Sequence, residues 1–253
     1  PRMLLPTYID GEGPTVVMVH GRGEAHETWD PLLPFLDRYT ALRVDLPGFG
    51  AAPAPKDPER YSIASNREDL AETTAHLDAG FALVGHSMGG MVAANYAAYH
   101  PERLGALVLE CTAAAYPYSD DYHPEQRDFL NHVAALAQAE GMEGVCAHLA
   151  ERYGLDAAGQ AKLMCLPAHS FAATIQVNAT MEDLHPRLAS LQVPTLVVAG
   201  RKDAIFVPWC QRLADTIPHA ELLVVDDVGH GPHGEAPEVF AAALHTFLER
   251  HLR

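Results

Sequence analysis

Apolar residues in this chain gather in short, β-branched runs, at residues 16–19, 41–44, 81–84, 104–109, 196–198 and 222–225. Segments with helical spacing fill most of the intervals. That alternation predicts βα units and a mainly parallel, twisted sheet flanked by helices on both faces. In such a sheet functional groups gather at the carboxyl ends of the strands. Helix punctuation agrees: Asp30-Pro31 offers an N-cap with proline in the first helical position, Ser62 can cap a segment running to His76, and Pro101 stops the helix before it.

From about residue 113 to 190 the alternation breaks. "PEQRDFLNHVAALAQAEG", "MEGVCAHLAERYG", "AAGQAKLMCL" and "SFAATIQVNATMEDL" carry helical patterning and no strand run. The pattern predicts a helical insertion, residues 113–190, in a core made of residues 1–112 and 191–253. A chain of 253 residues without repeats or low-complexity tracts fits that single elaborated domain.

Charge narrows the partners. With 17 basic against 33 acidic residues the formal charge is −16, which repels phosphate backbones and anionic membranes. No nucleic-acid or membrane partner is expected. No run approaches the roughly 18 apolar residues that span a bilayer, and the first residues lack a signal pattern. The expectation is a cytoplasmic protein, monomeric or homodimeric. Cys111, Cys146, Cys165 and Cys210 form no CxxC pair and read as free thiols, small hydrophobes of the interior. None of the 15 histidines lies in an HExxH motif, and the nearby His230 and His233 lack a ligand set at metal spacing. No metal or organic cofactor is expected.

The chemistry begins at "VGHSMGG", residues 84–90, where a buried strand gives way to a helix and Ser87 occupies the corner. Gly85-x-Ser87-x-Gly89 is the pattern of a nucleophile elbow, whose tight backbone leaves no room for Cβ atoms at the glycines. A serine hydroxyl needs a base within hydrogen-bond reach and a third group to orient that base. Both lie beyond later strands: Asp203, with Asp226 and Asp227 as rivals, and His230, with His233 as rival.

The order Ser, Asp, His resembles that of α/β-hydrolase-fold enzymes. "VVMVHGRG", "DLPGFG", "VPTLVVAGRKD" and "GH" followed by "EAPEVF" extend the likeness over the whole chain. It is nearest to small esterases and enol-lactonases with a helical cap. The resemblance selects His230 and Asp203 over their rivals, leaving Asp226 and Asp227 to shape a turn and His233 to a rim or helix-start position. It implies backbone amides of Met88 and Arg22 as oxyanion donors, with Gly23 helping the loop to turn. It leaves His86 packing beneath the site, His20 hydrogen-bonded within the oxyanion loop, and Asp45 satisfying amides of a turn. Arg22, Phe171, Met164 and Phe206 are candidate substrate contacts. The Arg22 guanidinium either pairs with a substrate carboxylate or is solvated at the surface. Tyr116, Tyr118, Tyr122 and Met181 supply further apolar surface in the insertion.

The activity implied is hydrolysis of a small-molecule carboxylic ester or lactone through an acyl-enzyme on Ser87. Carbon–carbon bond hydrolysis of vinylogous diketones, thioester or acyl-transfer chemistry, and a slow-turnover ligand receptor are the alternatives on the same fold.

Overall fold

A computed structural model describes residues 2–118, 123–154 and 157–252. Its centre is one seven-stranded sheet in the order β1-β3-β2-β4-β5-β6-β7. The strands are β1 (Thr7–Asp10), β2 (Thr15–Val19), β3 (Thr40–Val44), β4 (Phe81–His86), β5 (Leu104–Glu110), β6 (Thr195–Gly200) and β7 (Glu221–Val225). All neighbours pair in parallel except β1, which runs antiparallel to β3.

Each apolar run expected to be a strand is one, extended by a residue or two at its ends. β1 was not legible because it is an edge strand without an apolar run, with Ile9 itself 61% exposed. The continuous hydrophobicity of the central strands has a simple cause: alternate side chains enter two different cores. Val17, Val19, Leu42, Leu83, Leu107, Leu109 and Val197 face one, while Val16, Met18, Ala82, Val84, Val108, Leu196 and Val198 face the other.

The first core is closed by α1 (Ile63–Thr73), α2 (Met88–Tyr99) and α7 (Phe206–Thr216). Ser62 caps α1 as expected, its Oγ accepting from Ser65 N at 3.2 Å, although the helix ends at Thr73. α2 is apolar on every side and buried almost throughout. The second core is closed by Trp29, Leu32 and the carboxyl-terminal helices α8 (Pro232–Glu235) and α9 (Pro237–His251).

The expected helix start at Asp30-Pro31 is corrected. A 3₁₀ segment begins earlier, at His26, and runs to Phe35 with Pro31 and Pro34 inside it. Two prolines without N–H groups cannot sustain an α-helical ladder, so the chain winds in tighter turns. Asp30 instead takes the buried Arg43 guanidinium at 2.5 Å.

Between β5 and β6 lie α3 (Pro124–Tyr153), α4 (Ala157–Met164), α5 (Ala168–Asn178) and α6 (His185–Leu188), and no strand is found there among the described residues. Gly141, at φ 70°, kinks α3. Val133, Ala137, Val145, Phe171 and Ile175 give α3 and α5 a small core of their own. Tyr61 and Ser170, hydrogen-bonded at 2.8 Å, join α5 to the 3₁₀ turn that precedes α1. No described helix is long and apolar enough to cross a membrane. Cys111, Cys146 and Cys210 are buried free thiols as expected, whereas Cys165 is exposed.

Phe247 on α9 is 1% exposed in the second core. Phe247→Ala is expected to destabilise the protein by about 3–5 kcal/mol, read as a lowered denaturant midpoint. A loss below about 1 kcal/mol would mean that α9 does not close that core.

Candidate active site

Ser87 has φ 52° and ψ −117°, a left-handed conformation that a side chain adopts only under constraint. The constraint is local hydrogen bonding and packing. Ser87 N donates to Glu110 O at 2.8 Å, and the Ser87 carbonyl accepts from Thr112 Oγ1 at 2.7 Å and Met91 N at 3.0 Å. A Cβ on Gly85 would stand 2.4 Å from Gly89 O, and one on Gly89 2.2 Å from Val19 O. These glycines allow β2, β4 and α2 to approach closely enough to force the corner.

The corner presents Ser87 Oγ to His230 Nε2 at 2.9 Å, and His230 Nδ1 donates to Asp203 Oδ2 at 2.5 Å. Asp203 follows β6 and is 9% exposed; its Oδ1 accepts from Phe206 N at 3.1 Å. Burial acts to raise the Asp203 pKa, but the hydrogen bond and charge of His230 outweigh it and hold the carboxylate below its usual range. His230 is exposed, so the imidazole facing Ser87 is open to solvent and small molecules. The rivals lie elsewhere: Asp226 and Asp227 are exposed and pair with Arg201 and Lys202.

The two expected oxyanion donors lie on different elements. Met88 N opens α2, and Arg22 N belongs to the loop after β2; neither amide has an acceptor among the described residues. The amino end of a twelve-residue helix adds a favourable field for negative charge. His20 fixes the neighbouring loop as expected, Nδ1 donating to Gly21 O at 2.8 Å and Nε2 accepting from Leu46 N at 3.0 Å. Asp45 accepts from the amides of His26 and Ala51, also as expected.

Beneath the row lies a charged layer that sequence reading missed. Glu24 Oε2 accepts from Gly21 N at 2.7 Å and from His86 Nδ1 at 3.1 Å, while His86 Nε2 donates to the His230 carbonyl at 2.9 Å. One carboxylate and one imidazolium thus tie the loop after β2 to the loop that carries His230. His86 does lie under the site, but as the hub of an ion pair rather than as packing. His233 is not a rim residue: it is buried, with Nδ1 donating to Glu110 and Nε2 accepting from Thr28 Oγ1 at 2.9 Å. The available signals were Glu110 at the end of an apolar strand and Glu24 directly after "HGRG". Ligand atoms of Glu24, His86 and His233 lie within 4.8 Å of one another, and all three side chains are engaged in these hydrogen bonds.

The expected substrate contacts divide. The Phe206 ring lies 4.8 Å from the His230 ring and 6.1 Å from that of Tyr118, so it borders the site. Met164 is 50% exposed on α4. Phe171 is buried in the core shared by α3 and α5. Met181 packs on the first core. Tyr122 lies outside the described residues. The Arg22 side chain is not a solvated surface group; it is half-buried and its Nε is shielded. A cleft of about 510 Å³ opens beside the same loop, between Gly23, Glu24, Gly48, Gly50, Leu166 and Pro167, and Ser87 does not line it.

A serine raised on a strand-to-helix corner of a mostly parallel sheet, with helices on both faces, places the chain in the α/β-hydrolase class. The chain belongs to the alpha/beta hydrolase family, whose pattern matches residues 16–243. It is 30% identical to a pimeloyl-[acyl-carrier protein] methyl ester esterase of Aeromonas hydrophila, over 94% of this chain and 96% of that one. It is 29% identical to a putative 2-succinyl-6-hydroxy-2,4-cyclohexadiene-1-carboxylate synthase of Bacillus subtilis, over 94% of this chain and 92% of that one. Among solved structures it is similar to a thermophilic esterase from Thermogutta terrifontis with malate bound. There the TM-score is 0.83 and the identity 28%, over 98% of this chain and 94% of that chain.

The buried pair sets a pH window. Burial acts to lower the His86 pKa, and the charge and hydrogen bond of Glu24, with Glu110 behind, outweigh it and raise it to about 9. The same pairing lowers the Glu24 pKa from its ordinary value of 4.5. The stability that His86 contributes is therefore complete below pH 6.5 and is lost as pH rises through about 9. Histidine NMR titration is expected to show a His86 imidazolium persisting above pH 8, with a declining unfolding midpoint between pH 8 and 10. A His86 that titrates at or below its ordinary value would contradict the ion pair.

Proposed function

We propose that this protein is a serine hydrolase that cleaves a small-molecule carboxylic ester or lactone through an acyl-enzyme on Ser87. The observation that carries the reading is the unbroken row Asp203–His230–Ser87, at 2.5 and 2.9 Å. Family membership and the similarity to two esterases support ester chemistry over other uses of the fold.

In this mechanism neutral His230 accepts the Ser87 proton at Nε2 as Oγ attacks the carbonyl carbon. Asp203 fixes the tautomer that carries its proton on Nδ1 and stabilises the imidazolium that forms. The amides of Met88 and Arg22 receive the oxyanion; donors of this kind contribute about 10²–10³-fold in rate each. His230 then protonates the departing alkoxide, and water repeats the sequence on the acyl-enzyme, returning Ser87. The Glu24–His86 pair acts at one remove, holding the loops that carry His230 and the oxyanion amides. Residues 113–190 serve as a cap on a core of residues 1–112 and 191–253, with Tyr116 and Tyr118 on its site-facing approach.

Steady-state hydrolysis of a graded panel of p-nitrophenyl esters and simple lactones tests the reading. Ser87→Ala is expected to lower kcat by at least about 10³-fold with the fold intact by circular dichroism, and Asp203→Asn by about 10³–10⁴-fold. Ester turnover that survives in Ser87→Ala would overturn it.

A further inference from the structure

We infer that Arg22 is a carboxylate-recognition side chain, and that the substrate is an ester or lactone bearing a free carboxylate away from the carbonyl under attack. The inference rests on the serine hydrolase reading and names its substrate class.

Arg22 stands apart from the other half-buried or buried arginines. Arg43 takes Asp10 and Asp30, Arg60 takes Asp69, Arg67 takes Glu68 and Asn95, and Arg103 takes the carbonyls of Thr74 and Leu77. The Nε atoms of Arg22, Arg43 and Arg67 are all shielded from solvent without a partner, but only in Arg22 do the terminal nitrogens also lack a hydrogen bond or ion pair to any described residue. In a chain with 33 acidic and 17 basic residues, an arginine left without any acceptor among the described residues runs against the composition. A cation drawn out of water is tolerated when something negative completes it, and the described residues do not supply that group.

Its surroundings place it at the active site. Arg22 belongs to the loop whose Gly21 amide is pinned by Glu24, so the base of the side chain is held in place. Its electrostatic neighbours are Tyr118 and Tyr116. The Tyr118 ring contacts Phe206 at 6.1 Å between centroids, and Phe206 contacts the His230 ring at 4.8 Å. Tyr118 and Phe206 thus link the electrostatic surroundings of Arg22 to the ring of His230. Burial pushes the Tyr118 hydroxyl up to about 12, so it stays neutral and does not compete as an anion for Arg22. Among the described residues, the carboxylates of Glu24 and Asp203 are already committed to His86 and His230.

The charge count selects the anion. One guanidinium neutralises one carboxylate in a planar, bidentate contact. A phosphate dianion would leave a negative charge in a protein of net charge −16. The carboxylate also orients the substrate: with one end held by Arg22 and the carbonyl oxygen held by backbone amides of the same loop and of α2, the scissile carbon is presented to Ser87 in one direction.

The test pairs monomethyl esters of four- to eight-carbon dicarboxylic acids with neutral esters in which a carboxamide replaces the free acid. In the parent protein kcat/KM is expected to favour the acid over its amide isostere by at least about 10-fold at the best chain length. Arg22→Gln should bring that ratio within about 2-fold of unity, chiefly through KM, and Arg22→Lys should restore part of it. The amide isostere, measured in the same variant, reads any separate damage to the oxyanion loop. A ratio at or below one in the parent, or an unchanged ratio in Arg22→Gln, overturns the assignment. A further measurement needs no variant: in the parent, glutarate should inhibit hydrolysis of a neutral ester at least about 10-fold more strongly than glutaramide. Equal inhibition overturns the assignment as well. Ser87-dependent turnover of acid and amide at equal rates removes the carboxylate alone; turnover surviving in Ser87→Ala removes the hydrolase reading beneath it.

Discussion

The backbone corner at Ser87 is the constraint on which the site depends. A serine at φ 52° is held there only because its amide is tied to Glu110 O, its carbonyl is tied to Thr112, and two glycines let three backbones converge. The strain is borne where β2, β4, β5 and α2 meet with almost no accessible surface. The same corner aims the hydroxyl outward and leaves the Met88 amide without a partner at the start of α2. The candidate nucleophile and the candidate oxyanion donor thus follow from one turn of backbone.

Around that corner the parallel sheet acts as a jig. Its strands deliver Asp203 after β6 and His230 after β7 to the same edge that carries Ser87 after β4. Loops alone would hold such a row poorly. Here they are anchored from below by a buried charged layer in which Glu24 and His86 join the loop after β2 to the His230 backbone, and Glu110 and His233 join β5 to α8. Burying these groups is unfavourable unless every one is partnered, and the partnering is what ties the loops together. Arg22 is the departure from that rule, an incompletely paired cation at the rim of an otherwise satisfied network.

Much of this was legible in the chain. Apolar runs marked the central strands because strands buried on both faces admit few polar residues, and Gly85-x-Ser87-x-Gly89 marked the corner because close backbone approach excludes side chains. What escaped has physical reasons. β1 is a half-exposed edge strand with no apolar signature. The helical turns from His26 follow the geometry of two internal prolines rather than the Asp30 cap signal. Glu24, Glu110, His86 and His233 find one another only across the folded sheet, up to 123 positions apart. Met164 and Phe171 looked alike as apolar residues of a helical insertion; only the packing of α3 against α5 decides that one is buried and the other exposed.

The central claim is that Ser87 becomes covalently acylated during turnover. Rapid mixing of the protein with an excess of a p-nitrophenyl ester, acid quenching within the first turnover and peptide mass analysis measure this directly. The expected result is a burst of one nitrophenolate per chain, together with the acyl mass on the peptide containing Ser87. Turnover with no acyl mass on that peptide, or with the acyl group on another residue, would contradict the account.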